Sequence, residues 1–304
     1  MISICIPIFN FNASALIREL SDQLKRLNIP SEIIVIDDCS VIHIDSNIAV
    51  CQTHTYLQLD KNIGRAKIRN LFLSYAQYEY LLFLDCDSLI ISPDFISDYI
   101  NSITPKKSLV ICGGRVYAKE KPKRKYLLRW EYGIKKESQP FIIRQQFPNK
   151  SFMTNNFLIH RKLLERIKFD EKLGGYGHED TLFGYALLKH GINIMHIENP
   201  VLNGDVEENE IYLAKTEQGI LNLTRIIEYV NNDPELAQNI TLLHFYEKLK
   251  DKKLILIIDA LFKLSSPLIK FLLTKGIFQL WMFDFYKLGC FIQLRDYDKS
   301  GIEP

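Results

Sequence analysis

Tyr80-Leu81-Leu82-Phe83-Leu84-Asp85-Cys86-Asp87 is the stretch on which the fold turns. Five apolar residues closed by carboxylates predict a short buried strand, and residues at i and i+2 beyond its end can point to one side. Two carboxylates so placed can hold one hard cation against a diphosphate. A polar turn that merely closes a strand is the competing explanation of Asp85 and Asp87.

Upstream of it, residues 2–9 read as a strand, Asn10-Phe11-Asn12 as a turn and 13–27 as a helix without interior Gly or Pro. A second strand is expected over 32–36, a third near 55–59, and a helix over 63–78 leads into the Tyr80 strand. Downstream, 109–116, 155–160 and 192–197 carry strand signals, with a Gly-rich loop and a helix over 180–190 between the last two. Strands alternating with helices predict an α/β fold with a mainly parallel sheet, whose ligands bind beyond the carboxyl ends of the strands. After about Asp205 the pattern becomes helix upon helix, over 207–231 and 234–250. The expected division is an α/β domain over 1–205 and a helical region over 206–304.

With 304 residues and 47% hydrophobic composition the chain can fill a sizeable core. A formal charge of +2 carries no footprint for nucleic acid. Cys5, Cys39, Cys51, Cys86, Cys112 and Cys290 form no C-x-x-C pair and match no histidine spacing, so a zinc site or disulfide framework is not expected. They read as reduced thiols of a cytosolic protein. The N-terminal apolar run has no basic leader and passes straight into a strand pattern, against a signal peptide.

Three further stretches place chemistry at the same kind of position. Asp37-Asp38-Cys39-Ser40 follows the second strand, where a ligand carboxylate and an Asx turn are both open. Asn62 to Asn70 opens a helix in which Gly64 permits close backbone approach, and Arg65 and Arg69, four apart, share a face. An arginine there can meet a phosphate or pair with a carboxylate. Gly174-Gly175-Tyr176-Gly177-His178-Glu179-Asp180 runs from a glycine loop into a helix start, where acidic residues also suit the helix dipole.

SICIPIFN (3–10), DDCS (37–40), NIGRAKIRN (62–70), DCD (85–87) and GYGHED (175–180), in this order and spacing, resemble the family 2 glycosyltransferases over roughly residues 1–205. The resemblance implies a GT-A fold, a nucleotide-sugar donor, Mn²⁺ or Mg²⁺, and inversion at the anomeric carbon. It makes Asp38 the acceptor of the uracil N3–H, which favours a UDP-sugar, and Pro7 and Phe9 the wall beside the base. Gly64 and Arg69 fall near the diphosphate, Asp85 at the ribose or the metal, and Asp87 on the metal. Asp180 becomes the general base and Glu179 a hydroxyl binder. The implied acceptor is a saccharide or lipid-linked saccharide of bacterial surface-glycan assembly.

One departure stands out. Where similar enzymes carry a metal-reaching histidine after the last strand, this chain reads Pro200-Val201-Leu202-Asn203-Gly204-Asp205, which leaves Asn203 as the candidate, and His196 reads as structural. A sugar nucleotidylyltransferase or a dinucleotide-binding domain would place a Gly-rich phosphate loop after the first strand, and Asn10-Phe11-Asn12 is not one. A catalytically inactive sugar-nucleotide-binding subunit is the non-enzymatic alternative, against which both carboxylate pairs speak.

In residues 252–294 leucines and isoleucines surround a narrow stripe of Asp259, Lys263, Ser266 and Lys270, with helical spacing. Pro267 and Gly276 are expected to divide the region into short helices, and no charge-free run reaches the roughly 18 residues of a membrane span. Two outcomes are open: packing on the catalytic domain, or peripheral contact at the cytoplasmic membrane face with Phe278, Trp281, Phe283 and Phe285 inserted. The basic stretch 119–129 is a solvated loop or a contact for an anionic acceptor or membrane.

Overall fold

The structure is a computed structural model that describes residues 1–104, 109–172 and 177–300, with side chains to 295. The chain begins β1 (Ile2–Ile8), α1 (Ser14–Leu27), β2 (Ser31–Asp37), α2 (Ile44–Val50), β3 (Thr55–Gln58), α3 (Arg65–Leu71) and β4 (Tyr80–Leu84). It continues through β5 (Ser88–Ile90), α4 (Phe95–Ser102), β6 (Val110–Cys112), β7 (Arg115–Val116), α5 (Leu127–Tyr132), α6 (Phe141–Gln146), β8 (Asn156–His160) and α7 (Arg161–Arg166). The remainder is α8 (Glu179–Lys189), β9 (Met195–His196), β10 (Val201–Asn203), α9 (Asn209–Tyr229), α10 (Pro234–Asn239), α11 (Thr241–Asp251), α12 (Ile255–Thr274) and α13 (Leu280–Ser300). Two units result: Met1–Ala118 with Lys136–Glu171 and Leu182–Asp205, and Lys119–Lys135 with Lys172–Thr181 and Val206–Pro304.

The first unit is built on a seven-stranded sheet of order β3-β2-β1-β4-β8-β6-β9, parallel from β3 to β4 and across β6 and β9, with β8 antiparallel to both neighbours. A small sheet, β5-β10-β7, stands apart from it. Ile2, Ile4, Ile6 and Ile8 of β1 pack with Leu16, Ile17 and Leu20 of α1 and Phe95 of α4, whereas Cys5, Phe83, Phe157 and Ile159 pack with Phe72, Leu163, Phe183 and Leu187 on the other face. Burial of both faces explains why the strands read as unbroken apolar runs rather than alternating ones.

Several expected elements are cut shorter by tertiary contacts. The 109–116 strand divides at Gly113-Gly114, so β6 joins the large sheet and β7 the small one. Gly114 has φ +91, outside strand geometry. The helix expected over 63–78 ends at Leu71 in a tight turn, Phe72–Ser74, where the Arg161 guanidinium donates to the carbonyls of Leu73 and Ala76. The helix expected over 234–250 is two helices, broken at Ile240, which is extended (φ −108, ψ 113) and buried.

The second unit packs Leu128 of α5, Tyr212 and Leu213 of α9, Phe262, Ile269 and Leu273 of α12, and Phe283 and Tyr286 of α13 into one cluster. Gly289 lets α13 approach α12, since a Cβ there would lie 2.1 Å from Cγ of Phe262. Two expectations are corrected. Helix α12 runs through Pro267 unbroken; the proline lies on the exposed side, where water can meet the carbonyl it frees. Phe283 is buried, and Phe278 and Phe285 pack against the same cluster, so of the four aromatics named for insertion only Trp281 is exposed.

Each unit holds a histidine whose surroundings favour its neutral form, His196 buried and His178 half-buried. His196 of β9 lies between a guanidinium nitrogen of Arg144, 2.8 Å from Nδ1, and the Pro148 carbonyl, 2.8 Å from Nε2; burial and the Arg144 charge lower its pKa to about 4, against the pull of that carbonyl. His178 is held at about 4 by burial and by the Lys287 charge, which outweigh Glu179.

Two predictions follow from this packing. Because both histidines have folded pKa values below the unfolded one, the unfolded chain takes up protons that the fold refuses. Stability is therefore full above about pH 6.5 and falls as the pH drops toward 4, by up to about 1.4 kcal/mol per pH unit for each histidine. Urea midpoints measured from pH 7 to 5 check this, and a flat profile would contradict it. A Cβ on Gly113 would meet the Asn199 carbonyl at 2.4 Å and the Tyr99 hydroxyl at 2.5 Å, so Gly113→Ala is expected to cost about 2–3 kcal/mol in the same assay.

Candidate active site at the carboxyl edge of the sheet

The ends of β1, β2 and β4 bring the first group of site residues to one edge of the large sheet. After β2 the chain must turn, and Asp37 closes that turn: its carboxylate accepts from Ser40 N at 2.7 Å and from the Tyr56 hydroxyl at 2.7 Å. Asp38 is buried and spans to the next loop, accepting from Ile63 N at 2.7 Å and Gly64 N at 3.0 Å. The Asx-type role is thus present, carried across two loops, and each oxygen retains acceptor capacity beyond the one bond. Gly64 has φ +83 and open space where a Cβ would stand, so it is needed for its backbone angle at the start of α3. Phe9 is exposed just beyond β1, after half-buried Pro7 and buried Ile8.

Asp85 and Asp87 follow β4 directly. The Arg69 guanidinium, itself 2% exposed, lies 3.0 Å from one Asp85 oxygen, and Arg115 lies 3.5 Å from the other. Burial alone would raise the Asp85 pKa; Arg69, Arg65 and Arg115 outweigh it and hold the carboxyl below its ordinary value. Arg69, expected at the diphosphate, is therefore the carboxylate-paired arginine. Arg65, one turn earlier, is exposed and its charge reaches both Asp85 and Asp87.

Arg115 is the residue that the sequence reading missed. It stands just past the Gly113-Gly114 break, in a segment that reads as one continuous strand. It also lies 3.6 Å from Glu137, whose carboxylate accepts from the Tyr117 hydroxyl at 2.6 Å. Burial would lower the Arg115 pKa, but Tyr117, Glu137, Asp87 and Asp85 keep it above the ordinary value, so the guanidinium stays charged.

Asp87 behaves oppositely to Asp85. Burial and the neighbouring Asp85 charge raise its pKa, with Arg115 and Arg65 opposing. A carboxylate whose charge is disfavoured in this way is what a divalent cation relieves, and an oxygen donor suits Mg²⁺ or Mn²⁺. Among the described residues no group of three or more His, Cys, Asp or Glu side chains converges on one point. The residues present fit a largely hydrated ion held chiefly through Asp87. Beside it, β10 pairs antiparallel with β5, and the Gly204 N–H donates to the Asp87 carbonyl at 2.8 Å. Asn203, at the position of the missing histidine, donates through its amide to the Asp205 carbonyl.

Glu179 and Asp180 open α8 and belong to the second unit. Asp180 Oδ1 accepts from Thr181 N at 2.7 Å, and the Thr181 hydroxyl lies 3.3 Å from both that oxygen and His178 Nδ1. His178 has φ +67, and Gly177, with φ +94, is held by Asn222 of α9, whose amide donates to its carbonyl at 3.3 Å. Both carboxylates lie in the first turn, where the helix dipole favours their charge. Gly174, Gly175 and Tyr176 of the glycine loop lie outside the described residues.

Comparison with known proteins fits this geometry. No curated protein matches the chain by sequence. Among solved structures, the mannosyltransferase PcManGT from Pyrobaculum calidifontis, in complex with GDP-Man and Mn²⁺, is similar with a TM-score of 0.60 at 14% identity, over 99% of this chain and 87% of that one. S. aureus TarS 1-349 in complex with UDP-GlcNAc is similar with a TM-score of 0.52 at 19% identity, over 99% and 92%. These likenesses speak for a shared GT-A fold. Glycosyl transferase family 2 matches residues 3–168, more than half of the sequence and including both Asp38 and the Asp85-Cys86-Asp87 turn; the chain belongs to that family.

Proposed function

We propose that this glycosyltransferase moves a sugar from a UDP-sugar to an acceptor hydroxyl, with inversion at the anomeric carbon. The observation that carries the reading is the pairing of a guanidinium-clamped Asp85 with a charge-starved Asp87, at the same sheet edge as Asp38. Asp38 takes the uracil N3–H with its remaining acceptor capacity, and Phe9 and Pro7 flank the base. Arg65 faces the diphosphate, while Arg69 and Arg115 keep Asp85 ionised for the ribose. Asp180 takes the proton of the acceptor hydroxyl, and Glu179 holds a hydroxyl of donor or acceptor. A bound Mn²⁺ or Mg²⁺, held through Asp87 and Asp85, supplies positive charge to the departing diphosphate.

The acceptor in this reading is a lipid-linked saccharide of surface-polysaccharide assembly, and the protein works at the cytoplasmic membrane face. Support comes from α12: Leu256, Ile257, Leu261, Leu264, Leu268 and Phe271 are all exposed, at helical spacing along about four turns of one side. No described helix is long and apolar enough to cross a membrane. Residues 252–282 carry Lys252, Lys253, Lys263, Lys270 and Lys275; Lys263 pairs with the buried Asp259 and Lys270 with Glu217 of α9, so Lys252, Lys253 and Lys275 carry the basic character of the rim. Such a basic rim suits anionic lipid headgroups, whereas two copies facing each other would oppose their lysines.

Three measurements test the reading. Asp180→Asn should retain donor binding and lower transfer by roughly 10²- to 10⁴-fold, and wild-type transfer by the folded variant would remove Asp180 from the role. Asp87→Ala should abolish the Mn²⁺-dependent part of UDP binding in calorimetry, whereas Asp38→Ala should weaken UDP with or without the ion. Flotation with phosphatidylglycerol vesicles should carry the wild-type protein and leave Leu264→Glu/Leu268→Glu behind; failure of the wild type to float at low salt would discard the membrane attachment.

A further inference from the structure

Two asparagines stand next to each other where β8 begins, and their side chains fare oppositely. Asn156 is fully engaged: its Oδ1 accepts from the Tyr99 hydroxyl at 2.7 Å, and its Nδ2 donates to the Gly114 and Asn199 carbonyls, each at 2.9 Å. Asn155 is 3% exposed, yet neither its Oδ1 nor its Nδ2 has a partner among the described residues. A buried amide left unbonded on both sides is a cost with no return in the protein alone, and such groups are rare.

Its place in the sheet says what the amide faces. In the antiparallel β4–β8 pair Leu84 stands opposite Asn156, and the next step brings Asp85 N to the Asn155 carbonyl at 3.0 Å. Directly opposed residues share a face, so Asn155 and Asp85 lie on the same side of the sheet. A second buried donor without a partner, Nε of Arg115, belongs to the guanidinium that holds Asp85. An amide and a guanidinium N–H beside one carboxylate make a patch for an oxygen-rich ligand.

The order of strands selects the part of the ligand. Asp38 follows β2, Pro7 and Phe9 lie on and just past β1, Asp85 and Asp87 follow β4, and Asn155 precedes β8, the next strand in the sheet. Strands are spaced about 4.8 Å apart, so this edge spans roughly 14 Å from β2 to β8. A nucleotide sugar has the same order of parts: base, ribose, diphosphate and hexose. We infer that Asn155 binds a hydroxyl of the transferred sugar, its amide both donating and accepting, and so helps to determine which sugar is used. The inference rests on the nucleotide-sugar reading of the site.

Calorimetry with Mn²⁺ on the full chain tests it, using UDP and a panel of UDP-glucose, UDP-galactose, UDP-N-acetylglucosamine and GDP-mannose. Asn155→Ala, with the near-isosteric Asn155→Leu guarding against a cavity effect, should leave UDP affinity unchanged and weaken the preferred UDP-sugar about tenfold. Discrimination within the panel should shrink, and the melting temperature should stay at or above that of the wild type, since an unbonded amide has been removed. Equal weakening of UDP and UDP-sugar, no weakening of either, or a sharp fall in melting temperature in both variants would overturn the assignment alone. Failure of the wild type to bind any nucleotide in the panel would overturn the functional reading, and this inference with it.

Discussion

A carboxylate placed at the end of a buried strand must be neutralised or lose its charge, and this constraint organises the first unit. Asp85 keeps its charge because Arg69 reaches it from α3 and Arg115 from β7. Each arginine has its own requirement. Arg69 is 2% exposed and is viable there only with a counter-charge, while Arg115 balances both Asp85 and Glu137. The helix after Gly64 and the strand break at Gly113-Gly114 are thereby tied to the same point. The network leaves the neighbouring Asp87 short of positive charge, the electrostatic condition for recruiting a cation.

Residues at the sheet edge serve the fold before they serve a ligand. Asp38 stitches the loop after β2 to the start of α3 through two backbone N–H groups, and Asn10 joins the same region by accepting from Val41 N at 2.9 Å through its side-chain oxygen and donating its own N–H to the Ser40 hydroxyl oxygen at 2.7 Å. Loops held this closely present a prearranged edge, which would lower the entropy cost of ordering a ligand there, such as the nucleotide of the proposed function. Structural and ligand roles are compatible in one carboxylate, because an ionised carboxylate accepts about four hydrogen bonds.

The second unit answers a different physical demand. Its cluster of Tyr212, Phe262, Phe283 and Tyr286 buries one face of α12, and the helix is apolar on the opposite face as well. A globular unit gains nothing from six large exposed apolar side chains on one helix face, which is why an interfacial role for the helix is physically economical.

Many residues of the candidate site stand out in the sequence because their signals are local. A run of five apolar residues ending in two spaced carboxylates defines a buried strand and its chemistry, and Asp37-Asp38, Asn62 to Asn70 and Glu179-Asp180 each announce themselves within a few residues. The sheet and its alternation with helices followed from periodicity alone. Partners distant in sequence were decided only by the tertiary structure. Arg69 meets Asp85 because strand order brings α3 over the end of β4, and Arg115 enters because two glycines turn one apparent strand into two. Asn155 and Asn156 are the same residue type at adjacent positions, and only the two faces of a strand separate the bonded amide from the unbonded one. Likewise Phe283 and Trp281 lie on one helix with similar hydrophobicity, yet packing buries the first and leaves the second exposed. Short-range pattern determines which elements form, whereas which charges and amides meet depends on contacts between residues far apart in the chain.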